Sequence, residues 1–336
     1  MKYIAFAFVF SLVLLGCKSR KDNDIYQEER ESIFNVAHLV QEIQIDSPII
    51  SAHNRIMLAS NYWIVYDFKS TDKHIHLFNR KDFNYATSIG DFGKGPAEIT
   101  GLGHICYDSE NNSILVPDHG QLRVLSYNID SACTNEHYIP TIKTKLNKTN
   151  FPDRFFKTEN NYIGTIIIPQ GVSGYNQVVG EWNIMSGEIK EMSYKHPNVE
   201  KSRVSLAISN ENKLYATCQH LYDLITVCDY NGNLKFNIYG PQWNEKIKKG
   251  KNQLHYWNDI EFCKNKIVAS FSGRTYHDDN YWPTSLIIFD IKGNYEKTLE
   301  VGYNIMDFCY DDENNRIIMS LEDEIQFAYI SLDNII

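Results

Sequence analysis

Glu110-Asn111-Asn112-Ser113-Ile114-Leu115-Val116 contains a corner that decides how the chain is read. Its core, Asn, any residue, aliphatic, comes back as Asn54-Arg55-Ile56, Asn161-Tyr162-Ile163, Asn212-Lys213-Leu214, Asn265-Lys266-Ile267 and Asn315-Arg316-Ile317. Successive copies lie 58, 49, 51, 53 and 50 residues apart. Asn tolerates the left-handed backbone of a tight hairpin, so each copy marks a strand reversing into the next. Apolar, alternating residues flank the corners, as in Ile105-Cys106-Tyr107 before and Ile114-Leu115-Val116 after. A second series follows each corner: Ile75 to Asn79, Val124 to Asn128, Ile225 to Asp229 and Leu286 to Asp290. The last two run on into Asn231-Gly232 and Lys292-Gly293, which are hairpin signals themselves.

Two hairpins per period make four short strands. Six such periods of about 40–50 residues predict an all-β, six-bladed β-propeller with four-stranded antiparallel blades. A sandwich of this length would not keep one turn in phase six times. The sixth period ends one strand short, and Leu39–Ile45 is an orphan apolar-polar strand ahead of the first. That segment is expected to supply the missing outer strand, closing the ring and covering an edge.

The N-terminus sets the expected address. Met1-Lys2 is followed by an uncharged run from Tyr3 to Leu15 and then Gly16-Cys17. The run is too short to span ~30 Å of hydrocarbon but suits a signal peptide over residues 1–16. Residues 17–36 are polar and read as a tether, leaving 37–336 for the propeller. The formal net charge is −9, so the surface would repel nucleic acid and anionic lipid, and no nucleic-acid partner is expected. Seventeen Phe, 22 Tyr and 5 Trp supply a large core. Among the seven cysteines there is no CxxC pair, which removes the zinc-ribbon and thioredoxin-like readings. Cys218 and Cys228 flank one hairpin, and a disulfide between them is left open.

Gly16-Cys17 resembles the lipobox of bacterial lipoproteins, and Gly90-Asp91-Phe92-Gly93-Lys94-Gly95-Pro96-Ala97-Glu98-Ile99 resembles the G-x-G-P-x-E segment of the TolB-like six-bladed propeller lipoproteins of Bacteroidetes-type bacteria. The resemblance implies acylation at Cys17, anchoring in the outer membrane, and a propeller fold over nearly the whole chain. An anion-binding nest and a plain blade connector are both compatible with the glycine segment; the connector is favoured because no helix and no Ser or Thr follows Lys94.

Ligands of propellers sit on the face that carries the loops between second and third strands and between blades. Two aromatic segments are placed there: Pro241–Trp257, with Trp243, His255, Tyr256 and Trp257, and Ser272–Pro283, with Arg274, Tyr276, His277, Asp278, Tyr281 and Trp282. Flat rings with a few directed polar groups suit a carbohydrate or peptide. His74-x-His76 offers two imidazoles without a third ligand, so it reads as an exposed polar strand and not as a metal pair. Asp118-His119-Gly120 reads as an Asx turn. No catalytic signature or cofactor motif is present, and neither catalytic residue, metal nor cofactor is expected. The expected function is therefore a non-catalytic exported propeller binding a glycan, peptide or envelope protein. The alternative is a propeller enzyme of lyase, lactonase or hydrolase type with His and Asp at the channel.

Overall fold

The computed structural model describes residues 23–335 apart from residues 136, 173, 201–202, 248–249, 279–280 and 334. The expected signal peptide over residues 1–16 and the acylation site Cys17 lie outside the described residues. Six antiparallel sheets follow one another along the chain. Blade 1 spans residues 54–91, blade 2 106–145, blade 3 151–191, blade 4 204–239 and blade 5 254–300. Blade 6 is built from Ile305–Asp311, Arg316–Leu321 and Phe327–Ser331. The first strand of each blade is innermost, and these inner strands pack beside one another around the axis.

Closure follows the expectation in a shorter form. Gln41–Glu42 pairs antiparallel with the third strand of blade 6, with Glu42 opposite Ala328 and Gln41 opposite Tyr329. Leu39, read as the start of that strand, instead ends a single 3-10 turn over Ala37–Leu39. The seam between blades 6 and 1 is also latched by charge: Arg80 reaches Asp311 at 2.7 Å and Glu313 at 3.0 Å. Asn54 sits fully buried here and accepts a 2.7 Å hydrogen bond from Ser320. It is thus the start of the blade 1 inner strand and not a corner. The true corner is Ser60-Asn61, with Ser60 at φ 51°, and Trp63 takes the position filled elsewhere by an aliphatic residue. The other copies turn where the spacing places them, with Asn112 and Asn315 themselves left-handed at φ 44° and 47°. The second series ends in Asx turns: Asp229 and Asp290 accept backbone N–H bonds from Asn231 and Asn233, and from Lys292 and Asn294.

The polar segment read as a tether contributes more than reach. Asp24–Tyr26 pairs in parallel with the outer strand of blade 4, and Ile33–Asn35 with that of blade 5, so both sheets have five strands. Between them Arg30 enters the seam of blades 4 and 5. Its guanidinium pairs with fully buried Asp223 at 3.0 Å and lies over the rings of Trp257 (5.0 Å) and Phe271 (4.7 Å). Gly240 makes room for Asp223, since a Cβ there would come within 2.0 Å of its carboxylate. Three-residue strands are too short to show alternation, which is why the sequence reads as a plain linker.

Cys218 and Cys228 are both free. Cys218 belongs to the apolar cluster facing blade 5 and Cys228 to the one facing blade 3, so they point to opposite sides of one blade and cannot meet.

Candidate ligand-binding mouth

Each inner strand brings one polar residue to the axis immediately before a buried apolar one. The pairs are Arg55-Ile56, His104-Ile105, Arg154-Phe155, Ser205-Leu206, Asp259-Ile260 and Asp307-Phe308. The apolar partners recur 49, 50, 51, 54 and 48 residues apart. The pleat sends alternate side chains to opposite faces, so the apolar residue packs between blades while its neighbour faces the channel. These polar residues line a cavity of about 180 Å³ at the end of the channel that carries the inter-blade loops.

The cavity is a charged network. Arg154 from blade 3 grips Asp259 from blade 5, with Nη1 2.5 Å from Oδ1 and Nη2 3.4 Å from Oδ2. Asp259 and Asp307 hydrogen-bond to each other, and Asp307 Oδ2 accepts the Ile56 N–H at 2.7 Å. Burial pushes both carboxyls upward. For Asp259 the Arg154 charge outweighs burial and holds it below the usual carboxylate range. For Asp307 burial and the Asp259 charge act together and raise it far above that range. The two carboxyls are thus pushed apart in acidity, Asp259 favouring its charged form and Asp307 its neutral one. His104 and His220 are neutral, lowered by burial to about 4 and about 3, and bond to Tyr66 (3.2 Å) and Ser205 (3.1 Å).

Beside the cavity stands a wall of rings. His255 is 3 % exposed, the Asn258 side chain is its hydrogen-bonding neighbour, and burial lowers it to about 4. Its ring meets His220 at 5.6 Å, Tyr276 at 5.0 Å and Tyr281 at 6.2 Å. Tyr281 stacks on Trp282 at 4.9 Å with 26° between planes, and on Tyr276 at 5.5 Å. The Tyr276 phenol is raised by burial, with Tyr281, Arg203 and Tyr175 as its ionisable neighbours, which brings blades 3, 4 and 5 to one rim.

Of the residues expected at the mouth, His255, Tyr276, Tyr281 and Trp282 come together. Tyr256 and Trp257 do not join them. The inner strand of blade 5 starts at Leu254, earlier than the sequence suggests, and carries both into the core facing blade 4, where they are 7 % and 1 % exposed. Trp243 packs apart from the mouth against Tyr239 (4.9 Å), His196 (5.4 Å) and Tyr222 (5.7 Å). Arg274, His277 and Asp278 are exposed on the blade 5 overhang, with the Asp278 carboxylate accepting the Thr275 N–H at 3.0 Å.

The remaining candidates are structural. His74 and His76 are buried, not exposed, and their Nδ1 atoms bond to the Asp67 carbonyl (2.8 Å) and the Ser88 hydroxyl (2.7 Å). Asp118 Oδ1 gathers the N–H groups of Thr100, Gly101, Gly120 and Gln121, and His119 packs on Phe151. The glycine segment is a connector: Glu98 occupies the Gly95 N–H at 2.6 Å, and Arg123 donates to the carbonyls of Gly95, Pro96 and Glu98. Among the described residues no group of three or more His, Cys, Asp or Glu is placed to hold a metal ion.

The channel residues were missed because the repeat was read for its turns. Polar-before-apolar pairs in phase with the corners would have found them.

Solved structures share the architecture at low identity. An exported-class protein of Bacteroides fragilis aligns with TM-score 0.56 and 14 % identity over 89 % of this chain and 88 % of its own. A DUF4221 member from Bacteroides vulgatus gives 0.56 and 12 % over 87 % and 95 %. A luciferin-regenerating enzyme gives 0.56 and 8 % over 87 % and 94 %. At such identities the likeness concerns fold alone. No protein of curated function matches the chain by sequence. The DUF5128 family, described as "6-bladed beta-propeller", matches residues 21–227. With six four-stranded sheets closed by an N-terminal strand and a family match over more than half its length, the chain belongs to this family of six-bladed β-propellers.

Proposed function

We propose that this is an exported propeller, held at the outer membrane through acylated Cys17, that binds a carbohydrate at the loop-rich mouth without transforming it. The observation that carries the reading is the aromatic shelf of Tyr276, Tyr281 and Trp282 above a buried His255, beside a channel cavity lined with hydrogen-bonding groups. Ring faces stack on the C–H faces of a sugar, while fixed donors and acceptors select its hydroxyls.

The strap agrees with that address. Asp24–Tyr26 runs parallel to Leu234–Tyr239, toward the mouth, so Asn23 stands at the end away from the mouth. Five residues lie between Cys17 and Asn23, a reach of at most ~20 Å. An acylated Cys17 would hold the closed face near the bilayer and turn the mouth away.

A glycan array probed with the mature protein tests the function. Binding that Tyr281→Ala and Trp282→Ala weaken about tenfold, with unchanged thermal unfolding, is the expected result. Binding indifferent to both substitutions would move the site elsewhere.

The enzyme reading draws on one feature, the Asp259–Asp307 pair, since a protonated carboxyl beside an ionised one is an acid–base arrangement. Both carboxyls are already engaged, Asp259 by Arg154 and Asp307 by the Ile56 N–H, which favours a structural tie across the axis. Recovery of a cleaved or rearranged glycan after incubation, lost in Asp307→Asn, would reverse that preference.

A further inference from the structure

Blades 3 and 4 do not seal against each other. A cleft of about 500 Å³ lies between the long third strand of blade 3, Gly174–Trp182, and the second and third strands of blade 4, and the connector between the blades lines its outer side. This falls within the ~300–1,000 Å³ of small-molecule sites and exceeds the channel cavity. The apolar cluster here is small, with only Ile163, Met192, Leu206, Tyr215 and Cys228 fully buried.

The wall is polar by composition. Thr217 and Thr226 stand opposite each other on neighbouring strands of blade 4, and both line the cleft. Thr226 Oγ1 donates to Asn237 Oδ1 at 2.8 Å, and the Asn237 amide donates to the Tyr194 hydroxyl at 2.9 Å. On the blade 3 side Gln177 accepts the Val204 N–H at 2.9 Å. The Thr226, Asn237 and Gln177 groups are satisfied within the protein, so the wall is polar and held in place before any ligand arrives.

The cleft is continuous with the mouth. Tyr175, Gln177, Arg203 and Val204 line both cavities. Arg203 marks the junction, its guanidinium 4.5 Å from the Tyr175 ring and 2.5 Å from the Tyr175 hydroxyl.

We propose that this cleft is a second binding site, joined to the mouth across Arg203, and that it takes the continuation of a neutral oligosaccharide whose end lies on the aromatic shelf. The inference rests on the carbohydrate reading of the mouth and extends it from a single sugar to a chain. Amides, hydroxyls and tyrosine rings meet sugar hydroxyls and sugar faces; Lys195, Glu200 and Arg203 add charge of both signs to the lining, with Lys195 paired to Glu191 and Arg203 lying on Tyr175. A peptide would gain its affinity from a free strand edge, whereas the cleft is walled by the faces of two sheets.

Titration calorimetry of the mature protein against neutral oligosaccharides from monosaccharide to hexasaccharide, chosen from array hits, tests this. Asn176→Trp and Gln170→Trp fill the cleft from exposed positions on the blade 3 hairpin, and unchanged circular dichroism shows that each has folded. Affinity that rises beyond the disaccharide, and falls about tenfold in either variant for long ligands only, is the expected result. Tyr281→Ala should weaken every length. Affinity independent of length, or long ligands unaffected by both tryptophans, overturns the cleft while leaving the mouth intact. Peptide binding on a parallel array that the tryptophans abolish assigns the cleft to another ligand class and overturns it too. If no oligosaccharide of any length binds, the mouth reading fails and the cleft falls with it.

Discussion

Blade 4 faces two neighbours in two ways. Toward blade 5 it is sealed, with Ile225, Val227, Trp257, Ile267 and Phe289 buried together and Arg30 driven into the seam. Toward blade 3 the corresponding height carries Thr217, Thr226 and Gln177, and a cleft remains. The same four-stranded sheet serves as a packed wall on one side and a wet one on the other. Alternation makes this straightforward: odd and even positions of a strand answer to different neighbours. One interface can then hold the ring together while the next stays available to a ligand.

The largest effect is expected at the sealed seam. Trp257→Ala should cost ~3–5 kcal/mol in urea unfolding, since an almost fully buried ring leaves a cavity. A loss of sugar affinity without loss of stability would return Trp257 to the mouth and break the contrast. Arg30→Ala should cost ~3 kcal/mol, because the buried Asp223 carboxyl would lose its guanidinium partner. Hydrogen exchange should then rise at residues 24–35 first; exchange unchanged there would mean the strap holds without its staple. At the open interface Thr226→Ser keeps the hydroxyl on Asn237 and removes only a methyl, so it should change stability by under ~0.5 kcal/mol although Thr226 is only 4 % exposed. A cost above ~1 kcal/mol would identify a packed interface and erase the difference between the two sides.

A further effect, which depends on pH, lies in the channel that both interfaces border. Glu261, half-buried on the inner strand of blade 5, is raised to about 8 by burial and by the Asp259 charge. The folded state thus holds a proton that the unfolded chain loses near pH 4.5. Glu261 therefore favours folding below that pH, and its contribution is lost as pH rises through about 8. Thermal unfolding of Glu261→Gln should match the parent near pH 4.5 and exceed it above pH 8. A difference of the same size at both pH values would show that Glu261 does not titrate with folding.

Much of the ring was legible in the residues. The corners at Asn112, Asn161, Asn212, Asn265 and Asn315 announced five blades, because a hairpin turn is a local event and Asn suits its backbone. Asn54 was misplaced for a local reason as well: the true first corner, Asn61-Tyr62-Trp63, has an aromatic residue where the others have an aliphatic one. The aromatic overhang of blade 5 was visible as a run of rings, and three of its candidates share the mouth with His255. Tyr256 and Trp257 ended the other aromatic segment but belong to a strand, and nothing in their spacing said where that loop stopped.

The order and number of blades, the strand that closes the ring, and the acidic balance of the chain all follow from the sequence by itself, since each depends on residues close along the chain or on simple counting. The Arg154–Asp259 and Asp259–Asp307 contacts, the Arg30 staple and the cleft beside Thr226 were decided only when the ring closed. They join residues as far as 193 positions apart, as Arg30 and Asp223 are. Whether a buried charge finds its partner, or a polar wall finds space, is a property of surfaces brought together by folding and is not written in either strand.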